Sequence, residues 1–431
     1  MKKIIVGLIF CIGLFSTGHA QSNEITFVPG LGETGSVWSG MTDNLHQDSY
    51  SFYNNSINYN GYNSISSSAG NAYIPNGDVV ITHSEGGLLA RKYLQESSSH
   101  SYKALITVGA PNAGAPIVNP VLNGTASNVI AGMINKLLLG PNVALHVFLP
   151  SPVGASVVSA VENLLATGQQ SLQAYLNYLY QDQPGINDMK PGSSFLSTLN
   201  QYPGNTLPAA HYAIYGAEGI HTPWHLAGSA YAGTGQVENS LGITVHDKLE
   251  SIYLDVTISA AGIADLYRLR RDRAKRNYNF DDYFKYNRLY HKWQDVAAAF
   301  NVGYRSLLIG DQKEWSTYVT KSLIPQEFAS GAFIVPKKWY AEDGLLSSET
   351  QAPKFFSKDD GINRRLQALG ANHLEETAHP KVKQRLEEIF QNGDVNIPKN
   401  QTGDGGGSGG DGGGITPPPP PCNAGGTPIA C

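Results

Sequence analysis

The sequence predicts an α/β fold on a mostly parallel central sheet with helices on both faces. Apolar, strand-like runs at Ile25–Val28, Val79–Thr82, Ala104–Val108 and Tyr212–Tyr215 alternate with helical or loop segments, the pattern of repeated βαβ units. The Val79–Leu89 stretch reads as a buried strand that stops at Ser84, turns through Glu85-Gly86-Gly87 and continues into a helix with Leu88, Leu89 and Tyr93 at helical spacing. Two long interruptions, from Ile117 to about Asn200 and from about Gly219 to Gly331, read as helical insertions into this frame.

In chain order, Lys2 and Lys3 precede an apolar run from Ile4 to Phe15 and small or polar residues ending at Gly18-His19-Ala20. This is the pattern of a secretory leader cut after Ala20, and its apolar part is too short to span a bilayer. The expected mature chain is therefore exported, extracellular or periplasmic, with no transmembrane segment. Residues 21–395 form the expected globular domain, with its insertions at about 117–200 and 219–331. The first insertion contains helix-like stretches at Val129–Leu139 and Val157–Leu165; the second carries a Tyr-rich helical pattern. Residues 396–431 run through Gly403-Asp404-Gly405 into Pro417–Pro421, with too few apolar side chains to build a core, and are expected to be a disordered low-complexity tail. Cys11 leaves with the leader, so the remaining cysteines, Cys422 and Cys431, lie in the tail, where they either pair with each other or stay unpaired or intermolecular.

The formal charge of −5, or −7 once Lys2 and Lys3 leave with the leader, gives no support to nucleic-acid binding. One basic cluster stands against this background: Arg268, Arg270, Arg271, Arg273, Lys275 and Arg276. Such runs are usually solvated helix faces, with contact to an anionic surface as the alternative.

Ser84 is the candidate nucleophile. A sharp strand-to-helix turn holds a serine hydroxyl clear of the sheet edge, and small residues beside it let strand and helix approach. The competing reading is a plain turn before a helix, since Thr82 stands where a glycine would complete the short motif. A serine needs a base, and the base needs a carboxylate to fix its tautomer. Ala341-Glu342-Asp343-Gly344-Leu345-Leu346 offers Asp343 in a turn, and Ala371-Asn372-His373-Leu374-Glu375-Glu376 offers His373 in a polar loop. Glu218, ending the strand-like Ile214–Ala217 segment, is the alternative acid. His379 is the alternative base, although Pro380 beside it places it near a helix N-cap. Phe27-Val28-Pro29-Gly30-Leu31-Gly32 follows the first core strand, and the backbone N–H groups of Leu31 and Glu85 are the expected pair of oxyanion donors.

These segments together resemble the secreted bacterial lipase and esterase branch of the α/β-hydrolase superfamily, relatives of the triacylglycerol lipases, over most of Ile25 to Phe390. Val28–Gly32 resembles the family's oxyanion loop, Thr82–Gly87 its nucleophile elbow, Val108–Gly114 the segment before a lid, and Pro191–Leu196 the stretch that returns to the core. Asp343–Leu346 and Asn372–Glu375 resemble its acid and histidine motifs, and the order Ser84, Asp343, His373 is the family's. Pro29 departs from the usual His-Gly of the oxyanion loop. The resemblance implies an α/β-hydrolase fold with helical lid or cap insertions and hydrolysis of carboxylic esters, with small-molecule or lipid esters as substrates and a lipid–water interface as one place of action. It implies no cofactor. Some relatives hold structural calcium through a carboxylate at the position of Glu375, but no matching set of further carboxylates accompanies it here, so no metal is expected.

The lipid preference rests on Val129, Ile130, Met133, Ile134 and Leu137–Leu139, read either as a mobile lid or as a packed cap. The same motifs fit an amidase, a phospholipase or a lipid-anchor deacylase, because they fix acyl transfer and not the leaving group. A non-catalytic exported binding protein on a hydrolase scaffold is the reading outside enzymes.

Overall fold

The computed structural model describes residues 24–96, 100–133, 182–218, 245–305, 311–321, 342–357, 362–391 and 395–399, with isolated positions between them. The expected leader, residues 400–431 of the expected tail with Cys422 and Cys431, and the helix-like stretch at Val157–Leu165 lie outside the described residues; residues 396–399 of that tail are described, with Ile397 buried.

Six strands form the sheet: β1 (Glu24–Val28), β2 (Tyr53–Ser56), β3 (Val79–His83), β4 (Ala104–Val108), β5 (Ala210–Ala217) and β6 (Arg365–Leu369). Their spatial order is β2-β1-β3-β4-β5-β6, and every neighbouring pair is parallel. The four strand-like runs in the sequence fall on β1, β3, β4 and β5. These are the strands covered on both faces, which is why their apolar residues run almost without interruption. The two edge strands carry no such signal. β2 reads Tyr-Asn-Asn-Ser and is exposed throughout, and β6 alternates only weakly.

Side chains alternate between two cores, as the pleat requires. Val28, Val80, Leu105 and Ala213 point to one face and pack with α2 (Ile65–Asn71) and α3 (Glu85–Glu96). Phe27, Ile81, Ile106 and Ile214 point to the other, where α1 (Ser39–Gln47) supplies Met41 and Leu45, and the C-terminal helix, residues 380–390, supplies Leu386 and Phe390. Buried Ile130 and Met133, from the first insertion, join the first core, so this part of the apolar stretch is packed in this structure; Ile134 and Leu137–Leu139 lie outside the described residues.

The chain passes from β1 outward to β2, then returns to place β3 on β1's other side. That reversal opens a crevice at the carboxyl ends of β1 and β3, where ligands of open parallel sheets bind. Gly30 and Leu31 follow β1 there, and Ser84 follows β3.

Arg91 on α3 ties that helix to the segment after β4 and to the segment that leads into β5. Fully buried, it donates to Asn112 Oδ1 at 3.2 Å, Asn200 Oδ1 at 2.7 Å and Thr206 Oγ1 at 3.0 Å, and its guanidinium lies over the Phe355 ring. Arg91→Met keeps most of the volume but leaves those oxygens without their donor. Urea unfolding of this variant is expected to show a loss of about 3 kcal/mol.

Candidate active site

Ser84 sits in the left-handed backbone region, with φ of +51°. Few non-glycine residues tolerate this conformation, and it marks the sharp turn by which β3 passes into α3. The Ser84 N–H donates to Val108 O at 3.0 Å, holding the turn against β4. Gly86 makes the turn possible from the other side: a Cβ there would collide with the Pro29 carbonyl and with Val28. The position of Thr82 needs no glycine, because that residue lies within β3, paired with Val28 and Thr107.

Asp343 and His373 come to the same place from loops far along the chain. The Asp343 carboxylate is fully buried, and its Oδ1 accepts the backbone N–H groups of Leu345 at 2.9 Å and Leu346 at 2.7 Å. Gly344, at φ +96°, forms the turn that aims both amides inward. The other oxygen, Oδ2, lies 2.7 Å from His373 Nδ1, and the Asp343 carbonyl accepts the His373 backbone N–H at 2.8 Å. A carboxylate accepts, so His373 Nδ1 carries the proton and Nε2 of the neutral ring receives the Ser84 hydroxyl, 2.9 Å away.

The alternatives from the sequence occupy other positions. Glu218 pairs through its backbone with Glu342, and His373 Nδ1 is taken by Asp343. His379 caps the C-terminal helix, its Nδ1 accepting the Lys381 N–H at 3.1 Å. Glu375 is buried and accepts from Ser229 at 2.8 Å. Leu31 lines the space in front of Ser84. Neither its backbone N–H nor that of Glu85 is engaged by an acceptor among the described residues.

Beneath Ser84 lies an arrangement that the sequence did not disclose. His83 is buried with an acceptor against each ring nitrogen: Glu33 Oε2 at 2.9 Å from Nδ1, and the His373 carbonyl at 3.0 Å from Nε2. Glu376 Oε2 stands 3.3 Å from the same Nε2. A neutral imidazole has one N–H, so satisfying both sides requires the imidazolium. Burial alone would depress the His83 pKa, but Glu33 and Glu376 outweigh it and push it up to about 10. Burial likewise opposes ionisation of Glu33, yet His83 holds its pKa below the usual carboxylate value. Glu376 is pushed up by burial and by the nearby Asp343. His83, His373 and Glu376 come close enough to group around a cation, but an imidazolium has no lone pair to offer one.

Both glutamates also hold backbone. Glu33 Oε2 accepts the Gly30 N–H at 2.6 Å, fixing the loop after β1, and Glu376 Oε1 accepts the Gly216 N–H at 2.9 Å at the end of β5. Gly109 and Gly216 leave the room that Glu376 fills; a Cβ on either would meet its carboxylate. A lone glutamate in a polar loop looks the same in sequence whether solvated or buried. The one available signal was His83 itself, next to the candidate nucleophile in a strand otherwise made of Val, Ile and Thr.

Glu85 opens α3 with a fully buried side chain, and burial raises its pKa well above the usual value. The Tyr59 hydroxyl stands 3.2 Å from Glu85 Oε2 and 3.2 Å from the Pro29 carbonyl, and donates its proton to one or the other. Burial thus disfavours a negative charge on this side chain.

The strand order, the uniformly parallel register and the left-handed serine after β3 decide the architecture. The fold is that of the α/β hydrolases. Residues 76–250 match a family described as a domain of unknown function (DUF7379), which covers less than half of the chain. No curated protein matches. Among solved structures, an extracellular α/β-hydrolase from a Paenibacillus species is 12% identical, with a TM-score of 0.24 over 45% of this chain and 77% of that one. The esterase RhEst1 from Rhodococcus sp. ECU1013 is 14% identical, with a TM-score of 0.26 over 45% and 72%. A pyrethroid hydrolase from Sphingobium faniae JZ-2 is 13% identical, with a TM-score of 0.18 over 22% of this chain and 43% of that one, so the match spans less than half of the Sphingobium chain. Scores this low decide nothing beyond what the sheet and its turn already establish.

The charged His83 has a consequence for stability. Its folded pKa lies above the unfolded value of 6.5, so its contribution is complete below pH 6.5 and disappears as pH rises through about 10. Glu33, with a lowered pKa, contributes above its ordinary 4.5 and loses that contribution in acid. His83→Gln removes the cation and leaves two buried carboxyl groups, an expected loss of about 3–5 kcal/mol in urea unfolding. Unfolding from about pH 6 to about pH 11 should show an alkaline loss in the unmodified protein that is absent from this variant.

Proposed function

We propose that this protein is a serine hydrolase of carboxylic esters, with Ser84 as nucleophile, His373 as base and Asp343 as its partner. The observation that carries this reading is the unbroken hydrogen-bonded series from the Ser84 hydroxyl through both nitrogens of His373 to Asp343. Ser84 Oγ attacks the acyl carbonyl as His373 Nε2 takes its proton. Asp343 stabilises the imidazolium that forms, and the negative charge on the former carbonyl oxygen is met by the N–H groups of Leu31 and Glu85. Each such donor typically contributes about 3 kcal/mol to the transition state. His373 then gives its proton to the departing alcohol oxygen, and water, activated by the same ring, releases the acid and restores Ser84.

Lipid esters are the proposed substrate class. Leu31, Pro111, Ala115, Met189, Leu345 and Leu346 border the space at Ser84, an apolar surround suited to an acyl chain. That space is about 20 Å³, room for roughly one water, so an acyl group requires these walls to part. The apolar run before Ala20 supports export, and the exported protein should begin at Gln21 by N-terminal sequencing.

Purified protein should hydrolyse p-nitrophenyl esters and be labelled by a fluorophosphonate. Ser84→Ala should abolish both, and Asp343→Asn should lower kcat by about 10⁴. Glu218→Gln should leave turnover near its starting value. Turnover that survives Ser84→Ala would overturn the proposal, and a loss on Glu218→Gln with Asp343→Asn active would reassign the acid.

A further inference from the structure

The second insertion contains two long helices, Val245–Arg276 and Phe280–Arg305, joined by three residues and packed against each other as a hairpin. Ala260, Val296 and Phe300 are buried in the first core and anchor its base. Arg276 lies sixteen residues beyond Ala260, about 24 Å further along the helix at 1.5 Å per residue. The hairpin thus carries its turn well away from the anchored end.

What stands at that turn is unusual for an arm that only needs to be soluble. Tyr278 is 82% exposed, Leu269 62%, and Phe280 and Phe284 60% each. Around them Arg270, Arg273, Lys275 and Arg276 are exposed and have no carboxylate partner among the described residues. Arg268 pairs with Asp265, and Arg271 pairs with Asp272 and lies over the Tyr290 ring, whereas Arg270, though exposed, has its guanidinium 5.8 Å from the Tyr267 ring centroid. The turn is positively charged on a chain whose formal net charge is −5.

The backbone adds an independent observation. The first helix ends with the Asn279 N–H donating to Ala274 O at 3.0 Å, and Tyr278 takes the left-handed conformation, φ +55°, that closes the last turn. Glycine is the ordinary occupant of this position, because any side chain there is strained. Folding alone does not call for an aromatic at such a place, least of all one pointing into water.

We propose that this turn docks on the surface of an anionic phospholipid bilayer. Tyr278, Phe280 and Phe284 enter the headgroup layer, and Arg270, Arg273, Lys275 and Arg276 meet the lipid phosphates. Aromatic side chains settle at that depth, and clustered basic residues bind acidic leaflets through their field. No described helix is long and apolar enough to cross a membrane, and surface docking does not require one. The inference stands apart from the chemistry assigned to Ser84.

The test is cosedimentation of the full chain with vesicles of phosphatidylcholine containing roughly one quarter phosphatidylglycerol, against vesicles of phosphatidylcholine alone. Binding is expected to the acidic vesicles only, and to fall steeply from about 0.1 M to about 1 M salt as screening shortens. Replacing Arg270, Arg273, Lys275 and Arg276 together by Gln should weaken binding at least about a hundredfold. Tyr278→Gly relieves the backbone and should weaken binding severalfold while leaving the thermal unfolding midpoint unchanged or raised, which separates lost contact from lost fold. Absence of binding to the acidic vesicles, equal binding to both vesicle types, binding undiminished in either variant, or retention on heparin without binding to vesicles would each overturn the proposal.

Discussion

The His83 imidazolium is the interaction on which the rest of the site depends. One buried positive charge joins the loop after β1 through Glu33, the strand carrying Ser84 through its own backbone, and the loop carrying His373 through that residue's carbonyl. Glu376 completes the surround and reaches back to the end of β5. A buried charge is tolerated only where its partners are in place, so the cation enforces a geometry that apolar packing alone would leave loose. Ser84, in a strained turn, sits directly above this clamp.

Local strain and buried charge recur here in complementary roles. The positive φ of Ser84 carries a conformational cost, whereas Gly109 and Gly344 take up the same region without one. Around it Asp343, Glu33 and Glu376 accept the backbone amides of Leu345 and Leu346, of Gly30 and of Gly216. Glu85 shows the reverse solution, a carboxyl whose ionisation burial disfavours at a place where a charge would work against the proposed chemistry.

The central strands were legible because burial on both faces writes an apolar run, and the Ser84 turn was legible because strand, serine and paired glycines adjoin. Asp343 and His373 could be found because each lies in a compact polar turn with apolar neighbours. β2 and β6 escaped notice because an edge strand can be polar on its open side. Glu33 and Glu376 escaped for a different reason: their meaning comes from a histidine 50 and 293 positions away respectively, and no local pattern records such a partnership. The basic run near Arg270 was visible as charge, but its projection on a hairpin and the exposed aromatics beside it are facts of three-dimensional placement.

The bond between Ser84 and His373 closes a span of 289 residues. Contacts this remote form late, after the chain has met the entropy of closing so large a loop. β6 and the loop that follows it must therefore be seated before the serine acquires its base. A chain still emerging during synthesis has the elbow but lacks the partner proposed to activate it, so the reactivity proposed for Ser84 would begin only with the completed fold.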